Sequence, residues 1–176
     1  TYVSLVPTQL LRLKDAISHD EFLLSQMRKS KAVLVGGQAV SSELVSEFRG
    51  LGVNIVTTYG MAETCGGCVY DGGALPGVEL KINQSGVIAI KGPMLANDVA
   101  GSDGYLHSQD LGEYFDGFLR VLGRADRVIN SGGLKIGLDQ VEAVAGGVAG
   151  VVEVAASALR SEEHTSELQS RQYLVC

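Results

Sequence analysis

Hydrophobic and polar positions follow different periods in the two halves of the chain. In the first half, "SLVPTQLLRLKDA" places Leu10, Leu11 and Leu13 behind Pro7. That spacing predicts a helix whose first turn tolerates the proline. "EFLLSQM" predicts a second short helix, and "KAVLVGG" a buried strand running into a glycine pair. "SSELVSEFRGLG" predicts a helix with Ser41 as its N-cap and Gly50 or Gly52 closing it. "GVNIVTT" predicts another buried strand, β-branched and apolar, which runs out at Tyr59. Strand, helix, strand in this order is a βαβ unit, so a parallel sheet is expected.

Beyond Tyr59 the period falls to two. "GVELKIN" and "GVIAIKG" alternate around Ser85-Gly86, and "GEYFDGFLRVLG" alternates around Asp116-Gly117. Both predict antiparallel hairpins. "LDQVEAVAGG" predicts a helix capped by Asp139 and closed by Gly146, and "VVEVAASAL" a final strand. The expected fold class is α/β, passing to α+β towards the C-terminus, with a boundary in "LGRADRVINSGG".

Composition narrows the function classes. Of 176 residues, 45% are hydrophobic and 19% charged, which is a globular balance. The net charge of −6 argues against a nucleic-acid-binding surface, which is normally basic. No apolar run approaches the roughly 18 residues of a membrane span. No basic-then-apolar start marks a signal peptide. Three cysteines do not make a disulfide framework, so a reducing cytoplasm is expected. The chain opens without Met on "TYVSLVPTQLL" and reads as the interior of a longer protein.

The last segment, "RSEEHTSELQSRQYLVC", changes character abruptly and has neither helical nor strand period. It resembles translated sequencing-adapter DNA. Arg160 to Ser170 matches a widely used short-read adapter, and Arg171 to Cys176 continues through an index into the next segment. Residues 160–176 are therefore expected to be non-native and are excluded from fold reasoning. Without their two Arg and three Glu, the net charge is −5.

Several positions have chemistry that the secondary structure does not require. Tyr59 at the end of a strand has a ring that can stack on a purine, or simply cap a core. Such stacking is worth about 1–3 kcal/mol per base by alanine substitution. Gly60 permits close backbone approach and positive φ. Gly36-Gly37-Gln38 follows a strand and can press backbone against a ligand edge, or be a plain turn. Asp110 has two acceptor oxygens that suit a pair of hydroxyls, and Arg124 is a fixed donor fork. Taken singly, each is more often a member of a surface ion pair. Cys65-Gly-Gly-Cys68 lacks the second pair that a four-ligand zinc site needs. Neither a Walker-type loop nor G-x-G-x-x-G occurs.

Together, "VGGQAV", "TYGMAET", "GVIAIKGP", "YLHSQDLGEYFDGFLRVLGRADRVINSGGLKI" and "VEAV" resemble, in order and spacing, the adenylate-forming acyl-CoA ligases. "SLVPTQLLRL", "TTYGMAETCGGCVYDG" and "NSGG" are most similar to the o-succinylbenzoate–CoA ligases of menaquinone biosynthesis. The resemblance spans Thr1 to Leu159. It implies that residues 1–125 are the later part of a large adenylation domain and 126–159 the start of a small lid domain. It implies ATP, Mg²⁺ and CoA as cofactor and co-substrates, and a small carboxylic acid, 2-succinylbenzoate, as substrate. The acid would be activated to an acyl-adenylate with release of pyrophosphate, and CoA thiol would then displace AMP. Homo-oligomerisation is left open.

Residue by residue, the resemblance implies that Gly36, Gly37, Gln38, Tyr59, Gly60, Met61, Asp110 and Arg124 face ATP or AMP. Glu63 would hold Mg²⁺, for which a hard oxygen ligand is suited. Asp126 would be the hinge between the two half-reactions, and Ser131, Gly132 and Gly133 would line the CoA channel. Ala62 departs from the family, which usually has Thr or Ser at this phosphate position. Thr64 is not expected to reach the same place. Ser108 replaces the commoner Thr and keeps the hydroxyl. Lys135 is expected to be a surface or CoA-facing charge. The family's phosphate loop would lie before Thr1 and its catalytic lysine after Leu159, so the chain alone is expected to be catalytically inactive. Two further readings stay open: another aryl- or acyl-CoA ligase or a carrier-protein-loading adenylation domain, and a non-catalytic adenylate-binding remnant.

Overall fold

The computed structural model describes residues 1–131, 134–148, 150–151 and 154–157. The adapter-like segment 160–176 and the glycines at 132 and 133 lie outside them. In chain order come β1 (Tyr2–Leu5), α1 (Pro7–His19), α2 (Glu21–Lys29), β2 (Ala32–Val35), α3 (Ser42–Gly50) and β3 (Ile55–Met61). A single 3₁₀ turn (Ala62–Thr64) leads to β4 (Gly66–Tyr70), β5 (Gly73–Ala74), β6 (Glu79–Ile82), β7 (Val87–Lys91), β8 (Leu106–Phe115) and β9 (Phe118–Arg124). A second 3₁₀ turn (Ala125–Arg127) precedes β10 (Val128–Ser131), β11 (Leu134–Gly137) and α4 (Leu138–Ala145).

Among the described residues, β1 to β9 form one mixed sheet in the order β1-β2-β3-β4-β5-β9-β8-β7-β6, and β10 pairs with β11. The first three strands are parallel and the rest antiparallel. This is the expected α/β arrangement with a β-rich second half. Strand β1 was not expected: the stretch that predicts the first helix starts at Ser4, and no strand is predicted before it. Instead Tyr2 to Leu5 pair with Ala32 to Val35, and the helix begins at Pro7. Val6 N–H donates to Gln9 Oε1 at 3.0 Å, which satisfies one of the donors at the start of α1.

The expected caps hold at α3, where Leu44 N–H donates to the Ser41 hydroxyl and Gly52 follows at φ +82°. They fail at α4. Its N-cap is Gly137, and Asp139 lies in the first turn, ion-paired with Arg127. Residues 151 and 154–157 of the expected final strand are in no strand.

Strand β3 does not stop at Thr58. It continues to Met61 and changes partner. Ile55 to Thr57 run parallel to β2, and from Thr58 the strand runs antiparallel to β4, with a bulge at Tyr59/Gly60. At the exchange, Thr57 N–H and its hydroxyl donate to Asp71 Oδ1 at 2.8 and 3.0 Å. Asp71 N–H returns a bond to the Thr57 carbonyl at 2.8 Å. The strand therefore leaves one neighbour for another without an orphaned backbone group.

Two cores lie on either side of this junction. Leu10, Ile17 and Leu24 of α1 and α2 and Leu44 and Phe48 of α3 pack with Val33, Val35 and Ile55. Cys68, Val69, Ile88, Ile90 and Leu119 form the second core, with Tyr59 and Met61 packed against it. Segment β10–β11–α4 sits on β9: Gln140 Nε2 donates to the Val121 carbonyl at 3.1 Å, and a Cβ on Gly137 would fall 1.8 Å from the Leu122 carbonyl oxygen. Among the described residues, no helix is long and apolar enough to cross a membrane.

Candidate functional site

Strand β3 and the turn after it carry residues towards two sites. On one side is an open pocket of about 440 Å³, within the usual range for small-molecule sites. Gly36, Gly37, Thr58, Gly60, Met61, Ala62, Gly66 and Gly67 line it, closed at one end by Ser4, Leu5, Val6 and Gln9. Glycines dominate because backbones come close together here. A Cβ on Gly36 would lie 2.1 Å from Thr58 Oγ1, and one on Gly60 would lie 2.0 Å from the Gly66 carbonyl oxygen. Gly60 is thus required by the β3–β4 approach. It makes the close approach without positive φ, whereas Gly37 has φ +83°.

The second site begins with Tyr59. Its hydroxyl donates to Asp110 Oδ2 at 2.8 Å, joining β3 to β8. Burial, with the neighbouring Asp110 charge adding to it, pushes the Tyr59 phenol far above its ordinary pKa, so it acts only as a neutral donor. The Asp110 backbone is held as well: its N–H donates to the Ser108 hydroxyl at 3.1 Å, and Ser108 is buried. Asp110 and Arg124 are register partners on β8 and β9. Arg124 instead directs Nη2 to Gln109 Oε1 and, at 3.3 Å, Nε to Asp126 Oδ1.

Glu63 follows the pocket residue Ala62 on the turn Ala62–Thr64 and is exposed. Its carbonyl accepts from Ala96 N–H at 2.9 Å, which fixes the turn and leaves the carboxylate facing solvent. Among the described residues, no cluster of three or more His, Cys, Asp or Glu could hold an ion by protein ligands alone. A single carboxylate fits an ion whose other ligands are waters and substrate phosphates, as Mg²⁺ prefers.

Thr64 is 2% exposed, and its hydroxyl is taken up within the turn. It donates towards the carbonyls of Met61 and Gly66 at 3.0 and 2.7 Å and accepts from Met61 N–H at 2.9 Å. It is therefore not free to face a ligand. Cys65 is exposed in a left-handed conformation and Cys68 is buried in the second core, so the C-x-x-C pair makes no common site.

The structure therefore groups Gly36, Gly37, Gly60, Met61 and Ala62 in one pocket. Elsewhere it joins Tyr59 to Asp110 and Arg124 to Asp126, with Asp110 and Arg124 opposite one another in strand register. Gln38 is exposed and does not line the pocket. Ser131 ends β10; Gly132 and Gly133 fall outside the described residues. Lys135 Nζ donates to the Ser85 carbonyl at 3.3 Å. Sequence reasoning missed Ser4, Val6 and Gln9 as pocket residues because β1 was unrecognised, and missed Gln109 as the partner of Arg124.

A family profile described as "AMP-binding enzyme" matches residues 1–98. The chain belongs to this family. Among AMP-binding enzymes, it is 38% identical to a probable 2-succinylbenzoate–CoA ligase of Mycobacterium tuberculosis, over 82% of this chain and 40% of that protein. O-succinylbenzoate coenzyme A synthetase (MenE) from Bacillus subtilis, in complex with ATP and magnesium ion, superposes with a TM-score of 0.73 at 28% identity, covering 92% of this chain and 39% of that one. A variant of Escherichia coli MenE with bound OSB-AMS gives 0.68 at 29% identity, covering 89% and 37%. The chain spans about two fifths of the length of the curated relatives it matches first.

Proposed function

We propose that the chain supplies the nucleotide- and acyl-facing part of an AMP-forming 2-succinylbenzoate–CoA ligase. The observation that carries this reading is the adjacency of two unlike sites across one strand. Thr58, Gly60, Met61 and Ala62 border an open pocket of acid size, while Tyr59, between Thr58 and Gly60 in sequence, turns its hydroxyl to Asp110. A reaction that joins a carboxylate to a nucleotide needs both, side by side.

In this reading the Tyr59 ring faces the adenine and Asp110 accepts the ribose hydroxyls. Arg124 steadies the sugar side through its fork. Gly36, Gly37 and the glycines of β4 give the acid close backbone contact. Glu63 would hold Mg²⁺, which supplies charge neutralisation on the phosphates. With the carboxylate held against the α-phosphorus, the acyl oxygen–phosphorus bond forms as the bond to pyrophosphate breaks. Thiol attack on the acyl carbon then releases AMP. Residues 126–159 would begin the lid, turning about Asp126, and Ser131 to Gly133 would border the thiol's path. The unpaired thiols of Cys65 and Cys68 support a reducing, cytoplasmic setting.

The test has two stages. Calorimetric titration of the 176-residue chain with AMP, OSB-AMS and GMP is expected to show the two adenosine ligands binding and GMP not. Absence of binding by either adenosine ligand would remove the reading. A chimera carrying residues 1–157 in the Escherichia coli relative is then expected to release AMP only when 2-succinylbenzoate and CoA are both present. Release with a different acid would favour another acyl-CoA ligase. The absence of a free hydroxyl on turn 62–64 favours the non-catalytic remnant, and binding without AMP release would establish it.

A further inference from the structure

Resting on that reading, we infer that the Tyr59 hydroxyl is a positioning group. It fixes the rotamer of Asp110, so the ring serves the base while its oxygen prepares the neighbouring carboxylate for the sugar. Asp110 lies on β8, 51 positions away in sequence, and its backbone bonds leave the carboxylate free to rotate. The obvious candidate to orient it is its cross-strand partner Arg124, but Arg124 is engaged by Gln109 and Asp126. Among the described residues, the Tyr59 hydroxyl at 2.8 Å is the one side-chain donor on that carboxylate.

The geometry leaves Asp110 Oδ1 and the remaining lone pair of Oδ2 for a ligand, enough for two hydroxyls. It also fixes the direction in which they point. Tyr59 is itself held by the second core through its ring, so the donor is not mobile. An anchored donor that sets a carboxylate's orientation lowers the cost of ordering it when ligand binds.

The test is the ratio of AMP to 2′,3′-dideoxyAMP affinity in the whole chain, measured for wild type, Tyr59→Phe, Asp110→Asn and the double variant. Tyr59→Phe keeps the stacking ring. It is expected to leave 2′,3′-dideoxyAMP binding within about twofold, to weaken AMP about fivefold, and so to reduce the ratio by a similar factor. It is expected to add nothing on top of Asp110→Asn. A purely structural role would weaken both nucleotides alike. An unchanged ratio in Tyr59→Phe overturns the inference while leaving the adenylate reading intact. Wild type that fails to bind AMP, or Asp110→Asn that binds it normally, overturns the reading and the positioning role with it. Should Tyr59→Phe melt below the assay temperature, Tyr59→Trp removes the hydroxyl, keeps a stacking ring and reads the same ratio.

Discussion

At the scale of single residues, the turn Ala62–Thr64 separates what a hydroxyl does for the fold from what it would do for a ligand. Thr64 turns inward, where its hydroxyl accepts from the Met61 N–H and shares its one proton between the Met61 and Gly66 carbonyls. Thr64→Val keeps the shape and leaves the Met61 N–H and the Gly66 carbonyl without partners. Stability is expected to fall by about 2 kcal/mol in urea titrations, within the range for stranded buried polar groups. Ala62 faces the pocket and contributes no such bond. Ala62→Thr is expected to leave AMP binding unchanged and to tighten ATP–Mg²⁺ severalfold by calorimetry; a tenfold loss would show that this is not the phosphate position. The candidate residues were singled out by an ordered set of motifs resembling one family, because Tyr59, Asp110 and Arg124 each have an ordinary reading when taken singly. Their partners were not legible. The Tyr59–Asp110 and Arg124–Gln109 bonds join positions that are far apart in sequence, and no local pattern encodes them.

At the scale of elements, hairpins were the most readable feature because their turns need particular residues. Asp116 and Gly117 both adopt positive φ, at 51° and 84°, as a two-residue turn between twisted strands demands. Strand β1 was hidden for the opposite reason: four residues abutting Pro7 carry too little alternation to separate them from a helix start. The partner exchange in β3 was also invisible. A strand's period does not say which neighbour it has, although an Asp-Gly just after the following strand was a signal. Asp71 makes that exchange possible. Its pairing with Arg49 is exposed and contributes little. Its acceptance of the Thr57 N–H and hydroxyl is the part that matters. Asp71→Asn keeps an acceptor oxygen and a residue that tolerates φ 47°, and is expected to cost under about 1 kcal/mol. Asp71→Ala loses both and is expected to cost about 2–3 kcal/mol. Equal losses in the two variants, measured by chemical denaturation, would assign the effect to the lost charge.

At the scale of the whole molecule, the same strand ties the two cores together, so a change in one should be felt by both. Ile55 belongs to the first core, while Tyr59 and Met61 pack on the second. The second core contains two groups that burial keeps protonated: the Cys68 thiol, raised above its ordinary 9.0, and the Tyr59 phenol, raised above its ordinary 10.0. In each case the folded chain holds its proton more tightly than the unfolded chain. Stability is therefore intact below the unfolded values and falls as pH rises past them, first for Cys68 and then for Tyr59. On the acid side the sign reverses. Asp103 is held below its ordinary value by the Tyr105 N–H and then His107, and Glu79 by the Tyr105 hydroxyl and then Lys91. Their contribution is lost as pH falls through their folded values. Both are solvent-facing, so that limb is expected to be shallow. The predicted profile is a plateau over roughly pH 5–8 with a steeper alkaline edge. Urea denaturation followed at several pH values should show stability declining from about pH 9 in the wild type, the ordinary thiol value, and about one unit later in Cys68→Ala. Probes reporting on helices α1–α3 and on the β-rich half should lose signal together. An alkaline edge that Cys68→Ala leaves in place would assign the loss to Tyr59 alone. Separate transitions in the two halves would mean that β3 does not couple them.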